Sequence, residues 1–238
     1  MGRAQRAILV TVAILLALAM GCGGCGPDPY GAVALDVVLP PGQRTAEGAF
    51  PYAREAVRLW CHSHRISDRI VPTSVKVEGR LDGMLAGRYS VTYEFREPTT
   101  EQSLQSSDWY RLFHVYADMG DGRLTKLEAL RDDGHEWGPE LRGYPGRWVS
   151  LRRALQLAEA KARRSGIHIA PTADTYAGAW GVPTERGHDV WNIDFYGVIG
   201  LHRPRPCYTA LVTSGGQVEK AWLDPGPDSL PAPPPDPR

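Results

Sequence analysis

Residues 88–96, RYSVTYEFR, decide the fold class. Tyr89, Val91, Tyr93 and Phe95 alternate with Arg88, Ser90, Thr92, Glu94 and Arg96. This period of two gives a strand one apolar and one polar side. Such a strand belongs in an antiparallel sheet packed on a core by one face only. The pattern continues on both sides. Ser74–Arg80 places Val75 and Val77 on one face, and Trp109–Ala117 and Leu124–Leu130 read as a further pair. Gly120-Asp121-Gly122 supplies the hairpin turn between that pair. Upstream, Pro51 suits the first position of a helix running to His64. Its Ala53, Ala56, Val57, Trp60, Cys61 and His64 recur at helical spacing as one stripe.

The second half repeats this order. Ser150 is a good N-cap, Leu151, Ala154, Leu155, Ala158 and Ala162 form an apolar face, and Gly166 closes the helix. His188–Tyr196 alternates, with Trp191, Ile193 and Phe195 on one side. Tyr208–Thr213 and Val218–Trp222 flank a Ser214-Gly215-Gly216 turn. The hairpins ADMGDGRLTKL and LVTSGGQVEKA superpose with Gly122 on Gly216, Leu124 on Val218 and Lys126 on Lys220. That match predicts an internal duplication, with chance recurrence of a glycine-rich hairpin as the alternative. A helix with one apolar face followed by a one-faced sheet buries both by laying the helix on the sheet. The expected class is therefore α+β: two tandem helix-on-antiparallel-sheet modules, each two-layered and cystatin-like, over residues 46–135 and 146–223.

The second module resembles a PepSY-type domain over 150–223, and residues 50–130 resemble it more weakly. The helix Ser150-Leu151-Arg152-Arg153-Ala154-Leu155-Gln156-Leu157-Ala158 stands for that family's opening helix. Trp191-Asn192-Ile193-Asp194-Phe195 stands for its "W-x-V-x-F" strand, and Tyr208–Val212 with Gly216-Gln217-Val218 for its closing hairpin. The chain departs from the pattern at Thr213 and Ser214, where an aspartate is usual, and in a longer, proline-rich loop over 197–206. The resemblance implies a non-enzymatic domain associated with propeptides and with inhibition of secreted peptidases. A likeness of fold licenses no function by itself.

The first 25 residues give an address. Arg3 and Arg6 form a positive n-region, Ile8–Met20 is an apolar run broken by Thr11, and small residues follow. That order is a secretory signal, and the run is short for a mature membrane span. Ala19-Met20-Gly21-Cys22 resembles a bacterial lipobox, which implies a signal peptide over 1–21 and lipidation of Cys22. The alternatives are an ordinary signal cut between Gly21 and Gly26, and an uncleaved anchor. Residues 22–45 then read as a flexible tether, and 224–238, DPGPDSLPAPPPDPR, as a disordered proline-rich tail. The expected location is the extracytoplasmic side of the cell membrane. Disulfides persist in that setting, so a Cys61–Cys207 bridge is favoured over two buried free thiols.

The 27 basic and 27 acidic residues cancel, leaving no basic excess for a nucleic-acid partner. No Gly-x-Ser-x-Gly elbow, His-Glu-x-x-His pair or phosphate-binding loop occurs. Asp189 and Asp194 fall on opposite faces of a strand and cannot act as a pair. Cys61 and His64 share a helix face and would need His188 or His202 to complete a metal site. The cluster at 131–137, RDDGHEW, offers Asp133, His135 and Glu136 as weak metal ligands or hydrolytic carboxylates. It lacks the regular oxygen spacing of a calcium loop, and a solvated connection is the plainer reading. Most tryptophans sit at core positions; Trp148 and Trp180, near loops, are the candidates for a surface contact. These readings converge on a lipid-anchored envelope protein with a non-catalytic binding role and no cofactor. Its expected partner is a secreted or envelope protein such as a peptidase. The alternatives are capture of a small ligand in a concave sheet and a hydrolase built on the 131–140 loop.

Overall fold

The computed structural model describes residues 30–97, 110–132, 140–180, 189–196 and 208–223. Among them the elements run β1 (Gly31–Val38), α1 (Ala46–Ser63), β2 (Val71–Arg80), α2 (Leu81–Leu85), β3 (Ser90–Arg96), β4 (Tyr110–Asp118) and β5 (Arg123–Asp132). Then follow α3 (Leu151–Arg164), β6 (Asp174–Trp180), β7 (Val190–Phe195), β8 (Tyr208–Thr213) and β9 (Val218–Leu223). Helix α3 begins where Ser150 predicts, with the Ser150 hydroxyl accepting from the Arg153 amide at 3.3 Å. Helix α1 begins five residues before Pro51. Thr45 caps it instead, accepting from the Gly48 amide at 3.0 Å, and Pro51 lies inside the helix on its exposed side.

All the strands join one antiparallel sheet in the order β1-β5-β4-β3-β2-β6-β7-β8-β9. This corrects the expectation of two tandem two-layer modules. Strand residues outnumber helical ones nearly two to one, and the halves share a sheet. The join is β2 with β6, paired from Ser74 opposite Trp180 to Arg80 opposite Asp174. Each half alone would leave a strand edge with unpaired amides and carbonyls; pairing the two edges satisfies both. Strand β1 lies inside the stretch read as tether. It pairs with β5, Val33 opposite Leu127 and Val37 opposite Leu124.

Helix α1 packs over β3, β4 and β5, and α3 over β7, β8 and β9, all on one face of the sheet. The buried residues form one hydrophobic cluster across both halves, including Tyr93, Phe95, Phe113, Trp191 and Phe195. Two contacts tie the halves on that face. The Glu47 carboxylate in the first turn of α1 accepts from the Leu151 amide at 2.6 Å, placing an anion at the start of α3. The Tyr144 ring lies edge-on to Phe50 of α1 at 5.0 Å and to Trp191 of β7 at 6.2 Å.

The register carries an approximate two-fold symmetry. Lys76 pairs with Gly178 near the middle of the central ladder. Rotation about that pair exchanges β2 with β6, β3 with β7, β4 with β8 and β5 with β9. It sends Ser74 to Tyr176, Glu94 to Asp194 and His114 to Thr209, because each keeps its cross-strand neighbours. The two end hairpins share a bulge and a left-handed glycine, though the segment between Ala117 and Leu124 is one residue longer than that between Val212 and Val218. Gly122 and Gly216 both have positive φ, at 65° and 83°. Both ladders slip at the same place, between Tyr116 and Ala117 in β4 and between Leu211 and Val212 in β8. Gly122, Leu124 and Lys126 thus hold places equivalent to Gly216, Val218 and Lys220, while β4 and β8 correspond with an offset one residue larger.

Candidate functional site

No described helix lies on the second face of the sheet, and its side chains are polar and aromatic. In the first half they form a closed network. Glu94 of β3 is the hub: Ser74 and Lys76 of β2 donate to its two carboxylate oxygens, and His114 Nε2 of β4 stands 3.5 Å away. Farther out, the Tyr116 hydroxyl donates to Glu128 at 2.6 Å and Lys126 pairs with the same carboxylate. Burial would raise the Glu94 carboxyl. His114, Lys76 and Ser74 together outweigh it and hold the group at about 2. Ser74 is 2 % exposed and its proton is committed to Glu94, so it offers no accessible nucleophile. Ser74 and Lys76 satisfy the Glu94 carboxylate, while His114 Nε2 is buried without a hydrogen-bond partner among the described residues.

The second half differs. A groove of about 420 Å³ is lined by Glu78, Gly79 and Arg80 of β2, by Asp174, Thr175 and Tyr176 of β6, and by Tyr196 just beyond β7. That volume lies within the range of small-ligand sites. Register fixes the arrangement: Glu78 is opposite Tyr176, and Tyr176 opposite Asp194. Asp194 accepts from Thr209 at 2.6 Å and from Asn192 at 3.1 Å. Burial raises its carboxyl above the ordinary value despite those two bonds. The Tyr176 and Tyr196 hydroxyls are raised too, by burial first and then by neighbouring carboxylates including Glu78 and Asp194. Arg80 turns to Asp82, 3.2 Å away. The groove is thus rich in carboxylate and aromatic surface.

No family model, curated protein or solved structure matches this chain. The site therefore rests on its own geometry.

The residues singled out from sequence are scattered. Trp148 is buried, 7 % exposed, with its indole nitrogen donating to the Arg142 carbonyl at 3.1 Å; it is a core residue, not a surface contact. Trp180 ends β6 by its backbone pairing, and its side chain lies outside what the structure describes. Cys61 is a buried free thiol, pushed up to about 12 chiefly by burial, near Glu97 and Arg111. Its expected partner Cys207 lies outside the described residues, as do Cys22, Asp133, His135, Glu136, His188 and His202. Tyr208, which follows Cys207, belongs to the opposite end of the strands from Glu97, in the row Gly79–Thr175–Phe195–Tyr208. His64 stacks on Trp60 at 4.0 Å, and its Nδ1 is 2.8 Å from the Trp60 carbonyl. Among the described residues no three His, Cys, Asp or Glu side chains gather as a metal site.

The sequence pattern singles out none of the groove residues Glu78, Asp174, Tyr176 and Tyr196, and sets Asp194 only against Asp189. Glu78, Tyr176 and Asp194 come from three strands, the first about a hundred residues of chain from the other two. Their convergence depends on the β2–β6 pairing. The one available signal was the outward register of Asp194 and Tyr196 within an alternating strand.

Proposed function

We propose that this protein is an envelope-anchored binding protein that captures a ligand in the groove on the uncovered face of its sheet. One observation carries the reading: the groove between β2, β6 and β7 is large enough for a small ligand and lined by two tyrosines and two carboxylates. A catalytic role has less support, since the Ser74 hydroxyl and the Lys76 ammonium of the neighbouring network both donate to Glu94. The tyrosines supply flat apolar surface with a polar tip, and the carboxylates supply orientation. Screening the full chain by thermal shift against small envelope metabolites is expected to find a ligand that raises Tm. Tyr176→Ala should abolish the shift while leaving the unliganded Tm within a few degrees, because Tyr176 faces the groove and not the core. An undiminished shift in Tyr176→Ala sinks the groove as the site.

A protein partner, such as a secreted peptidase, is the second reading. It is favoured by β9, which ends the sheet order and exposes Trp222 and Leu223, each at 40 %. Such an edge can accept an added strand. If Trp222→Glu, and not Tyr176→Ala, removes binding, the site moves to that edge.

The anchoring itself rests on the leader and the lipobox-like Cys22. Two acyl chains hold a protein far more firmly than one. Cys22→Ser should shift the protein from the membrane pellet to the soluble or unprocessed fraction in cell fractionation. Correct cleavage with retention in the membrane would reject lipidation there.

A further inference from the structure

We propose that the helix layer of this protein is a membrane-docking face, with its exposed arginines seated on the phosphates of anionic phospholipid headgroups. The choice of a membrane rests on the envelope-anchored reading above; the groove plays no part in it.

The chain holds 27 basic and 27 acidic residues, but they are not evenly spread. Residues 141–164 carry seven basic side chains and a single acidic one, Glu159. Arg142, Arg147, Arg152, Arg153, Arg163 and Arg164 are all exposed, whereas Glu159 is part-buried and accepts from Arg163 at 2.8 Å. Helix α1 shows the same bias. Its exposed positions are Pro51, Arg54, Arg58 and His62, one stripe at helical spacing, while Glu47 and Glu55 are part-buried. Arg58 is shared between Glu55 and Asp68, so α3 and the turn before it hold most of the excess. Arg152 and Arg153 also lie in the first turn of α3, where the helix dipole disfavours cations. Their placement runs against local stability, as residues kept for recognition do.

The fold gathers these side chains on one side. Helices α1 and α3 pack on the same face of the sheet, and their first turns meet at the Glu47–Leu151 hydrogen bond. The turn at 141–148 is held on that face by Tyr144, against Phe50 and Trp191. The apolar stripe of each helix faces the sheet, so the arginines point outward. A guanidinium pairs bidentately with phosphate, which a lysine ammonium does not. Arg152 to Arg164 spans about 18 Å of helix, enough to meet an array of phosphates. The membrane is also within reach. Strand β1 starts at Gly31, nine residues after Cys22, so an acyl chain there holds the body within about 30 Å of the bilayer. Docking the helix layer turns the uncovered face and its groove away from the membrane.

The test uses residues 22–238 with Cys22→Ser, which keeps every described element and removes both the leader and the acyl site. Sedimentation compares vesicles of phosphatidylcholine alone with vesicles containing about one-third phosphatidylglycerol. In about 0.1 M salt the anionic vesicles should bind at least about tenfold more tightly, and about 0.5 M salt should abolish the difference. Arg152→Glu with Arg153→Glu should cut binding to the anionic vesicles at least about tenfold without lowering Tm, because both side chains are exposed and the helix dipole favours the replacements. Arg123→Glu with Lys220→Glu makes the same charge change on the uncovered face and should cost less than about threefold. Equal binding to both vesicles, no loss in the Arg152→Glu, Arg153→Glu variant, or an equal loss in the Arg123→Glu, Lys220→Glu variant would each overturn the proposal. So would duplex DNA that strips the protein from the vesicles at equal phosphate concentration, which would assign the face to nucleic acid. Lipidation is not at stake in these outcomes, because residue 22 carries no acyl chain. In the Cys22→Ser cell fractionation, a salt-washed pellet reads the acyl anchor alone.

Discussion

Trp191→Ala is expected to lower unfolding stability by about 3–5 kcal/mol, measured by denaturant titration. Trp191 is 0 % exposed and is among the largest fully buried side chains. Its ring sits edge-on to Trp148 at 5.8 Å and to Tyr144 at 6.2 Å. Its indole nitrogen donates to the Val149 carbonyl at 3.0 Å, while the Val149 amide donates to Ser214 at the β8–β9 turn at 2.7 Å. Alanine would leave a cavity against the Trp148 and Tyr144 rings and an unsatisfied carbonyl at the entry to α3. Trp191→Phe keeps most of the apolar contact but still orphans that carbonyl, so it should cost about 1–3 kcal/mol. The shape of the transition matters as much as its midpoint. Because β2 and β6 join the halves over one core, the whole melt should shift as a single step. A loss below about 1 kcal/mol would refute the packing argument. Division into two steps, only one of them shifted, would refute the single cooperative sheet.

That shared sheet was the main feature hidden in the sequence. The alternation in 88–96, the Gly-containing hairpins and the Ser150 cap all appear in the structure close to where the local pattern puts them. The strand that fuses the halves does not announce itself. β6 reads DTYAGAW, and its core-facing Ala177 and Ala179 and its Gly178 are residue types that strands disfavour. In the middle of a broad sheet, tertiary pairing on both sides outweighs that propensity. Without β6 each half reads as complete, which is why the local pattern predicts two modules. β1 was missed for a related reason. Its Val33, Leu35 and Val37 do alternate, but Gly, Pro and Ala just upstream pulled the whole stretch toward a tether.

The site was hidden for the same cause. Glu78 and Asp194 each occupy an ordinary polar position in an alternating strand, and nothing local marks either of them. They become neighbours of Tyr176 only when β6 is inserted between β2 and β7. The likeness of the hairpins was legible. That Gly178 stands where the other half has Lys76 appears only when the register aligns the halves residue by residue. Trp148 went astray in the opposite direction: a residue close to loops in the chain is enclosed by Tyr144 and Trp191 in space.

Glu94 should make the fold acid-sensitive. Its folded carboxyl lies at about 2 against an ordinary 4.5. The side chain is only 13 % exposed, so solvent screens its contacts weakly. A lowered carboxyl means the folded state binds the proton less readily than the unfolded chain. The stabilisation is therefore complete above about pH 4.5 and drains away as pH falls toward 2, by roughly 3 kcal/mol in all. Glu94→Gln should remove this part of the acid loss. It should also lower stability at pH 7 by about 2–4 kcal/mol, since Lys76 loses its counter-charge in a half-buried setting and Ser74 a charged acceptor. Asp194 works in the opposite sense. Its raised carboxyl favours the protonated folded state, so its charge weakens the fold above its ordinary range. Denaturant melts of the wild type and Glu94→Gln from pH 2.5 to 7 measure the difference directly. The two curves should lie close at the lowest pH, diverge as pH rises to about 4.5 and keep a constant separation above it. Curves that stay parallel across that range would show that Glu94 is not the hub that its contacts with Ser74, Lys76 and His114 describe.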